Sequence, residues 1–294
     1  MDRRKRLLDF HEEATHAMLN KVALQNKAKV FAKIRVADAL EITSSGLSDV
    51  EYSYALKAHF DFVVANTVNT ALFAVEFDGL SHEYNATVIA NDAKKNSICK
   101  KLGMPFLRIN ADFLTRKIRR FTLLSWLTEL WFLNEAFEQA QKEGSIPDDE
   151  PFCYFAILAE SLTDKITFPY DLSLPSRAFL NKCCEQERCK DFTPAVHIAD
   201  DVNGYTFGVA LIRLNEGDVV VGRANCRSFM FQPVSAQELC QELATIEACE
   251  KMKAYLTGKY RPVKMVEAIS QISNLEKLAK DNGAYYSKRG VVWQ

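Results

Sequence analysis

The chain has almost no net charge: 37 Lys and Arg stand against 38 Asp and Glu, leaving −1 over 294 residues. A sequence-blind nucleic-acid coat protein works by a large basic excess and is therefore not expected. A near-neutral protein can still gather basic groups on one face. A regular cysteine framework is also missing. Of eight Cys, Cys183, Cys184 and Cys189 cluster and the rest are scattered, which does not suit a disulfide-stapled secreted domain. No secretory leader is visible, because the basic residues within 1–6 run into an amphipathic, Glu-containing stretch and not into an apolar core. The most apolar run, 121–132, is broken by Thr122, Ser125, Thr128 and Glu129, so it is too short and too polar to span a bilayer. Internal repeats and low-complexity tracts are absent too. These absences lead to the expectation of a cytoplasmic protein with reduced thiols and no membrane partner. What is present is ordinary for a folded chain, 48% hydrophobic and 26% charged residues, in a length that suits one large domain or two ordinary ones.

The pattern predicts an amphipathic helix over 7–24, with Leu8, His11, Thr15, Met18 and Val22 at helical spacing, then a strand over 29–36. A polar Ser- and Gly-rich loop, 43–49, follows. A hairpin is expected from strands 59–65 and 72–78 around a turn at 66–70. A helix over 89–102 should stop at Gly103, with Pro105 beyond it and a strand over 105–109. Strand, helix, strand in that order implies a crossover and parallel pairing of the last strand. Residues 112–143 read as helical, apolar on more than one face between Leu123 and Leu133, as in a helix buried between layers. The GSIPDDEP stretch at 144–151 is the best boundary, giving domains of 1–143 and 152–294. In the second, 205–214 and 219–223 form a hairpin, and a helix starts at Ser235 with Glu238 completing a capping box. Leu239, Leu243, Ile246, Cys249, Met252 and Leu256 stripe one face of that helix. This second α+β domain is expected to pack on the apolar helix around Trp126 and Trp131, and to serve self-association or substrate placement.

Chemistry concentrates in the first half. Side chains alternate along a strand, so Glu76 and Asp78 share a face, and Asp61 sits in the neighbouring strand between Phe60 and Phe62. Two carboxylates at alternate positions lie ~7 Å apart and repel by roughly 2–3 kcal/mol at an effective dielectric of about 20. Cations offset that cost, and hard oxygen ligands with open positions suit Mg²⁺ or Mn²⁺. On the following helix, Ile98, Cys99 and Leu102 mark a buried stripe that reaches back to Lys95 and Asp92, with Lys94 further to the side. A lysine on the inner face needs a negative partner, and the carboxylates supply one.

The strings HFDFVV, FAVEFDGLSH and NDAKKNSICKKLGMPFLRIN resemble the PD-(D/E)XK nuclease superfamily, in the branch near very-short-patch-repair endonucleases and an uncharacterised bacterial family there. The matching residues are Asp61; Glu76 with Asp78 and Gly79; Ser81 with His82; Asp92 with Lys95; and Gly103 with Pro105 and Arg108. Glu12 stands where a helix-borne Glu is often found. The resemblance covers about residues 7–115 and does not reach the second half. It implies a restriction-endonuclease-like mixed sheet flanked by helices and metal-dependent phosphodiester hydrolysis, with DNA as the favoured nucleic acid and antiviral defence or repair as a setting. Asp61, Glu76 and the Phe77 backbone carbonyl would hold Mg²⁺ or Mn²⁺. Lys95 would orient the attacking water or stabilise developing charge, with Asp78 and His82 in or beside the metal's ligand set. One departure is clear. The superfamily's usual Lys, two positions after the acidic residue, is here Asp78, and Lys95 on the helix would replace it.

Plainer readings stand beside these. Glu12 reads best as a solvated helix residue, Asp92 could be an ordinary first-turn carboxylate, and His82 reads equally as surface or site. Cys183, Cys184, Cys189 and His197 match no common zinc spacing. The basic run 116–120 could contact phosphate or simply face water. The alternative function is an inactive nuclease-fold subunit of a defence or repair complex, which fold resemblance alone does not separate from an enzyme. The chain could act with a partner protein or as a homo-oligomer.

Overall fold

The structure is a computed structural model that describes residues 5–79, 86–160, 166–281 and 286–289. It divides into two compact units, Met1–Phe152 with Phe229–Pro233, and Cys153–Ser228 with Val234–Gln294. Both are mixed α/β, with sheets flanked by helices. No helix among the described residues is long and apolar enough to cross a membrane.

In the first unit α1 (Phe10–Gln25) opens on a capping box between Asp9 and Glu12. Then come β1 (Lys29–Arg35), the short α2 (Val36–Ala39) and α3 (Asp49–Ala55), β2 (His59–Ala65), β3 (Ala71–Phe77), α4 (Ala86–Lys101) and β4 (Phe106–Ile109). The sheet order is β1-β2-β3-β4. The first two pairings are antiparallel and β3–β4 is parallel, as the crossover through α4 requires. Gly103, at φ 67, lets the chain leave α4 while the Met104 N–H still bonds the Cys99 carbonyl. The sequence reading expected a polar loop at 43–49 and assigned no element to 37–42 or 50–58; α2 and α3 lie on either side of that loop, with α3 starting at its last residue, Asp49.

The sheet has two apolar faces. Toward α4, Phe60, Val63, Ala74 and Phe106 pack with Ile98, Cys99 and Met104. On the other face His16 of α1 stacks on Phe62 and His11 on Phe77. Residues 112–143 do not form one helical stretch. The chain makes α5 (Ala111–Thr115), a minimal hairpin of β5 (Lys117–Ile118) and β6 (Phe121–Thr122), and α6 (Leu123–Lys142). The break is local. Arg119 adopts φ 57, and Thr122 accepts the Ser125 N–H and starts α6 afresh. On α6, Trp131 packs against Phe73 of β3 and against Phe231, at 5.1 Å between ring centroids in each case. Phe231 belongs to the returning segment Phe229–Pro233, whose Met230 exchanges two backbone hydrogen bonds with Phe106 along the outer edge of β4. That pairing covers a sheet edge that would otherwise be open.

The second unit begins with a two-strand pair, β7 (Ala159–Glu160) and β8 (Ile166–Thr167), and α7 (Leu174–Glu185). β9 (Ala195–Asp200), β10 (Tyr205–Arg213), β11 (Asp218–Arg227), β12 (Val263–Lys264) and β13 (Tyr286–Arg289) form an antiparallel sheet of order β12-β11-β10-β9-β13. Parity sorts its residues between two helices. Val209, Leu211, Val219 and Val221 face α9 (Met265–Asp281). Gly208 and Gly222 face α8 (Ala236–Leu256), which Ser235 and Glu238 cap reciprocally.

At Gly222 the approach leaves no room for a side chain. A Cβ there would lie 2.2 Å from the Ala244 carbonyl oxygen and 2.3 Å from the Ala248 nitrogen. Those are helix backbone atoms and cannot rotate away. Gly222→Ala is therefore expected to cost about 1–3 kcal/mol or more by overpacking. Gly217→Ala is the control, since its nearest contact would be the Asn215 side chain at 3.6 Å, and it should stay within about 0.5 kcal/mol of the parent. Urea unfolding of both variants checks this. Equal midpoints would mean that α8 can retreat from the sheet at little cost.

Candidate active site

Two side-chain groups meet at the carboxyl ends of β3 and β4. The first is Glu76 and Lys95. Strand parity turns Glu76 toward α4, and the inner stripe of α4 presents Lys95 to it. The Lys95 Nζ lies 2.6 Å from Glu76 Oε1 and donates to the His59 carbonyl at 2.9 Å. Both side chains are buried, Glu76 at 8% and Lys95 at 5% exposure. The other carboxylate oxygen, Glu76 Oε2, is buried with no hydrogen-bond partner. Burial pushes the Glu76 carboxyl up to about 7; Lys95 opposes the shift and the Asp61 charge adds to it. Lys94 instead lies over the Tyr54 ring, 5.7 Å from its centroid. Burial, with the charges of Glu76 and Asp92 behind it, raises the Tyr54 hydroxyl to about 12.

The second group is built on Arg108. β3–β4 pairing sets Arg108 beside Glu76. Its guanidinium forks onto Asp78, with Nε at 2.9 Å from Oδ2 and Nη2 at 2.5 Å from Oδ1, and reaches Asp92 Oδ2 at 2.8 Å. Arg108 is 2% exposed. Burial alone would lower its pKa, but bonds and charge from Asp78 and Asp92 outweigh that and raise it. Asp78 therefore lies in a buried ionic triad that ties the end of β3 to α4. That triad fixes the helix one turn before Lys95.

Asp61 faces differently from its neighbours. In a regular strand Phe60 and Phe62 would share a face. Here Phe62 stacks on α1 while Phe60 packs toward α4, with its ring 5.7 Å from Phe106. The face changes at Asp61. In β1, pairing runs from Ala32↔Phe62 to Ile34↔Phe60 around Lys33, whose backbone is left-handed at φ 55. Such a conformation at a non-glycine residue costs of order 1–3 kcal/mol and collects at functional positions. Its result is that the Lys33 Nζ reaches Asp61 Oδ1 at 2.6 Å and also pairs with Glu12 Oε1. Asp61 Oδ2 accepts the Phe77 N–H at 2.9 Å. Burial works against the Lys33 charge, but Asp61 and Glu12 outweigh it and raise its pKa.

The structure thus brings Asp61, Glu76, Phe77, Asp78, Asp92, Lys95 and Arg108 together, and adds Glu12 through Lys33. Ser81 and His82 lie outside the described residues. Among the described residues no group of three or more His, Cys, Asp or Glu side chains is gathered for a metal. Lys33 was missed by sequence reasoning, which placed it among the outward positions of the first strand. No signal marks it, since neither Gly nor Asn announces the left-handed turn. The His59 carbonyl, a backbone group, carries no sequence signal either.

A family model described as "Protein of unknown function (DUF2726)" matches residues 4–120, which include every group in this site. No curated protein and no solved structure matches the chain.

Proposed function

We propose that the first unit is a metal-dependent nuclease domain of PD-(D/E)XK type that hydrolyses phosphodiester bonds, with DNA as the favoured substrate. One observation carries the reading: Glu76 Oε2 is a buried, unpartnered carboxylate oxygen next to Lys95 and in the field of Asp61. Leaving such an atom unsatisfied is costly unless a ligand completes it. The order of elements supports the same reading, since α1, β1, β2, β3, α4 and β4 set these residues on the elements that the sequence resemblance assigns to them.

The donor set fits a hard divalent cation. Asp61, Glu76 and the Phe77 carbonyl would supply oxygens, and Mg²⁺ commonly takes only one or two carboxylates and fills its remaining positions with water and phosphate. Bound there, the metal would lower the pKa of a water and neutralise charge on the scissile phosphate. Lys95, held by Glu76 and the His59 carbonyl, would place a fixed positive charge beside that phosphate. Arg108 with Asp78 and Asp92 would hold α4, and so Lys95, in position.

One observation favours the alternative, an inactive binding or assembly subunit of a defence or repair complex: Lys33 already neutralises Asp61. Cleavage assays with Mg²⁺ and Mn²⁺ on plasmid, linear DNA and RNA, with Glu76→Ala as control, decide between the two. Metal-dependent cleavage that the control loses is the expected result. Binding without cleavage under every condition would support the alternative.

Metal affinity carries a second signature. Without metal the Glu76 carboxyl sits up at about 7, so below that pH a metal must displace a proton to use it. Apparent Mn²⁺ affinity should fall as pH drops through that value, approaching about tenfold per unit, and level off above it. Calorimetric titration across that range checks the slope, and a flat profile would remove Glu76 from the ligand set.

A further inference from the structure

Lys33 belongs to this cluster, yet neither the sequence pattern nor the proposed reaction uses it. It lies within β1, an edge strand, and its side chain is 42% exposed. Three features set it apart from an ordinary surface lysine. Its backbone takes the left-handed conformation that glycine would adopt with less strain. Its ammonium is directed onto Asp61 Oδ1 at 2.6 Å, while Asp61 Oδ2 is taken by the Phe77 N–H. It has a second carboxylate, Glu12, whose own geometry is fixed because Glu12 Oε2 accepts the Asp9 N–H at 2.8 Å in the α1 capping box.

With Lys33 in place, both oxygens of Asp61 are engaged, one of them by a cation. A divalent metal ligated through Asp61 would have to meet that ammonium at close range, and two cations there repel. We infer that Lys33 is a built-in competitor for the metal: its ammonium holds the cation position on Asp61 until a divalent ion displaces it onto Glu12. This rests on the metal-site reading above. The exchange is cation for cation, so Asp61 is neutralised in both states. Glu12 keeps the released ammonium paired, and the exposed stem of Lys33 can move without disturbing the core. The consequence is a site that binds its metal more weakly than its carboxylates alone would, and engages it only where divalent ion is plentiful.

The test is Mn²⁺ binding to the full chain, followed by calorimetry and by loss of the free-ion electron paramagnetic resonance signal. Wild type, Lys33→Gly, Lys33→Met and Asp61→Asn are compared at one pH and ionic strength, with thermal melts to confirm folding. Lys33→Gly accepts φ 55 without strain, and Lys33→Met keeps the stem while removing the charge. Both are expected to bind Mn²⁺ about tenfold more tightly than wild type, and Asp61→Asn is expected to lose binding. If Asp61→Asn loses binding but neither Lys33 variant binds more tightly than wild type, the competitor role is overturned and the metal site stands. If no protein binds Mn²⁺, or Asp61→Asn binds it as wild type does, the metal site itself is refuted, and this role with it.

Discussion

Glu76→Gln is expected to reduce metal-dependent cleavage by about 10²–10³-fold or more, the scale on which single preorganised electrostatic groups act, without lowering thermal stability at about pH 8. The two halves of this expectation come from the same atoms. Burial raises the Glu76 carboxyl to about 7, above its unfolded value near 4.5. A group shifted that way contributes stability that is fully present below its unfolded pKa and is lost as pH rises through the folded one. Above about 7 the ionised, half-satisfied carboxylate therefore costs the metal-free fold stability. Glutamine mimics the protonated form, keeps an acceptor for Lys95, and leaves the Lys95 bond to the His59 carbonyl in place. Activity and stability should then move apart, as they do where a site keeps a strained group for function. Cleavage rates and melting midpoints of the same preparation measure both. Parallel losses would show Glu76 to be chiefly a structural partner of Lys95.

The part of this site that was legible in the sequence is the part that depends on periodicity. Alternation along 72–78 put Glu76 and Asp78 on one face, and helical spacing back from Ile98 and Cys99 chose Asp92 and Lys95; in the structure Asp92 and Lys95 are buried with them. Gly103 and Pro105 marked the end of α4, and the Ser235–Glu238 signature the start of α8. The same signature stands at Ser48 and Glu51 and opens α3, so that helix was readable and was passed over. Glu51 also accepts bonds from Ser97 and Lys101 of α4, which ties α3 to the helix that carries Lys95. Other features have no local signal. The change of face at Asp61 depends on a left-handed lysine. The break between α5 and α6 depends on Arg119 in the same conformation, within a stretch whose apolar pattern continues through it. Covering of the β4 edge depends on a segment more than a hundred residues away in the chain. Periodicity reports which way a side chain points within an element, but it does not report where an element bends or what returns to it.

Arg108 tests how the site is held together, and its replacement should have the largest effect on the fold. The guanidinium is 2% exposed and sits between Asp78 and Asp92. Arg108→Met fills similar volume but leaves two carboxylates close together in a buried setting. Removing one partner from a buried ionic group typically costs about 3–5 kcal/mol, because the cost is that of the charge left behind more than of the bond lost. That reasoning makes a sharper prediction than the size of the loss. In a chain carrying Asp78→Asn and Asp92→Asn, the stranded charges are gone, and the same Arg108→Met step should cost far less. The difference between the two steps is the coupling that a double-mutant cycle isolates, and denaturant unfolding of the four proteins measures it. Mn²⁺ binding adds a second readout. Asp92 lies three residues before Lys95 on the same helix face, so a chain that remains folded with Arg108→Met should also hold Lys95 less firmly against Glu76 and show an altered pH profile for metal binding. An equal cost of Arg108→Met in both backgrounds would mean that the guanidinium acts by packing against Phe106, 5.7 Å from its ring centroid, and that Asp78 and Asp92 do not depend on it.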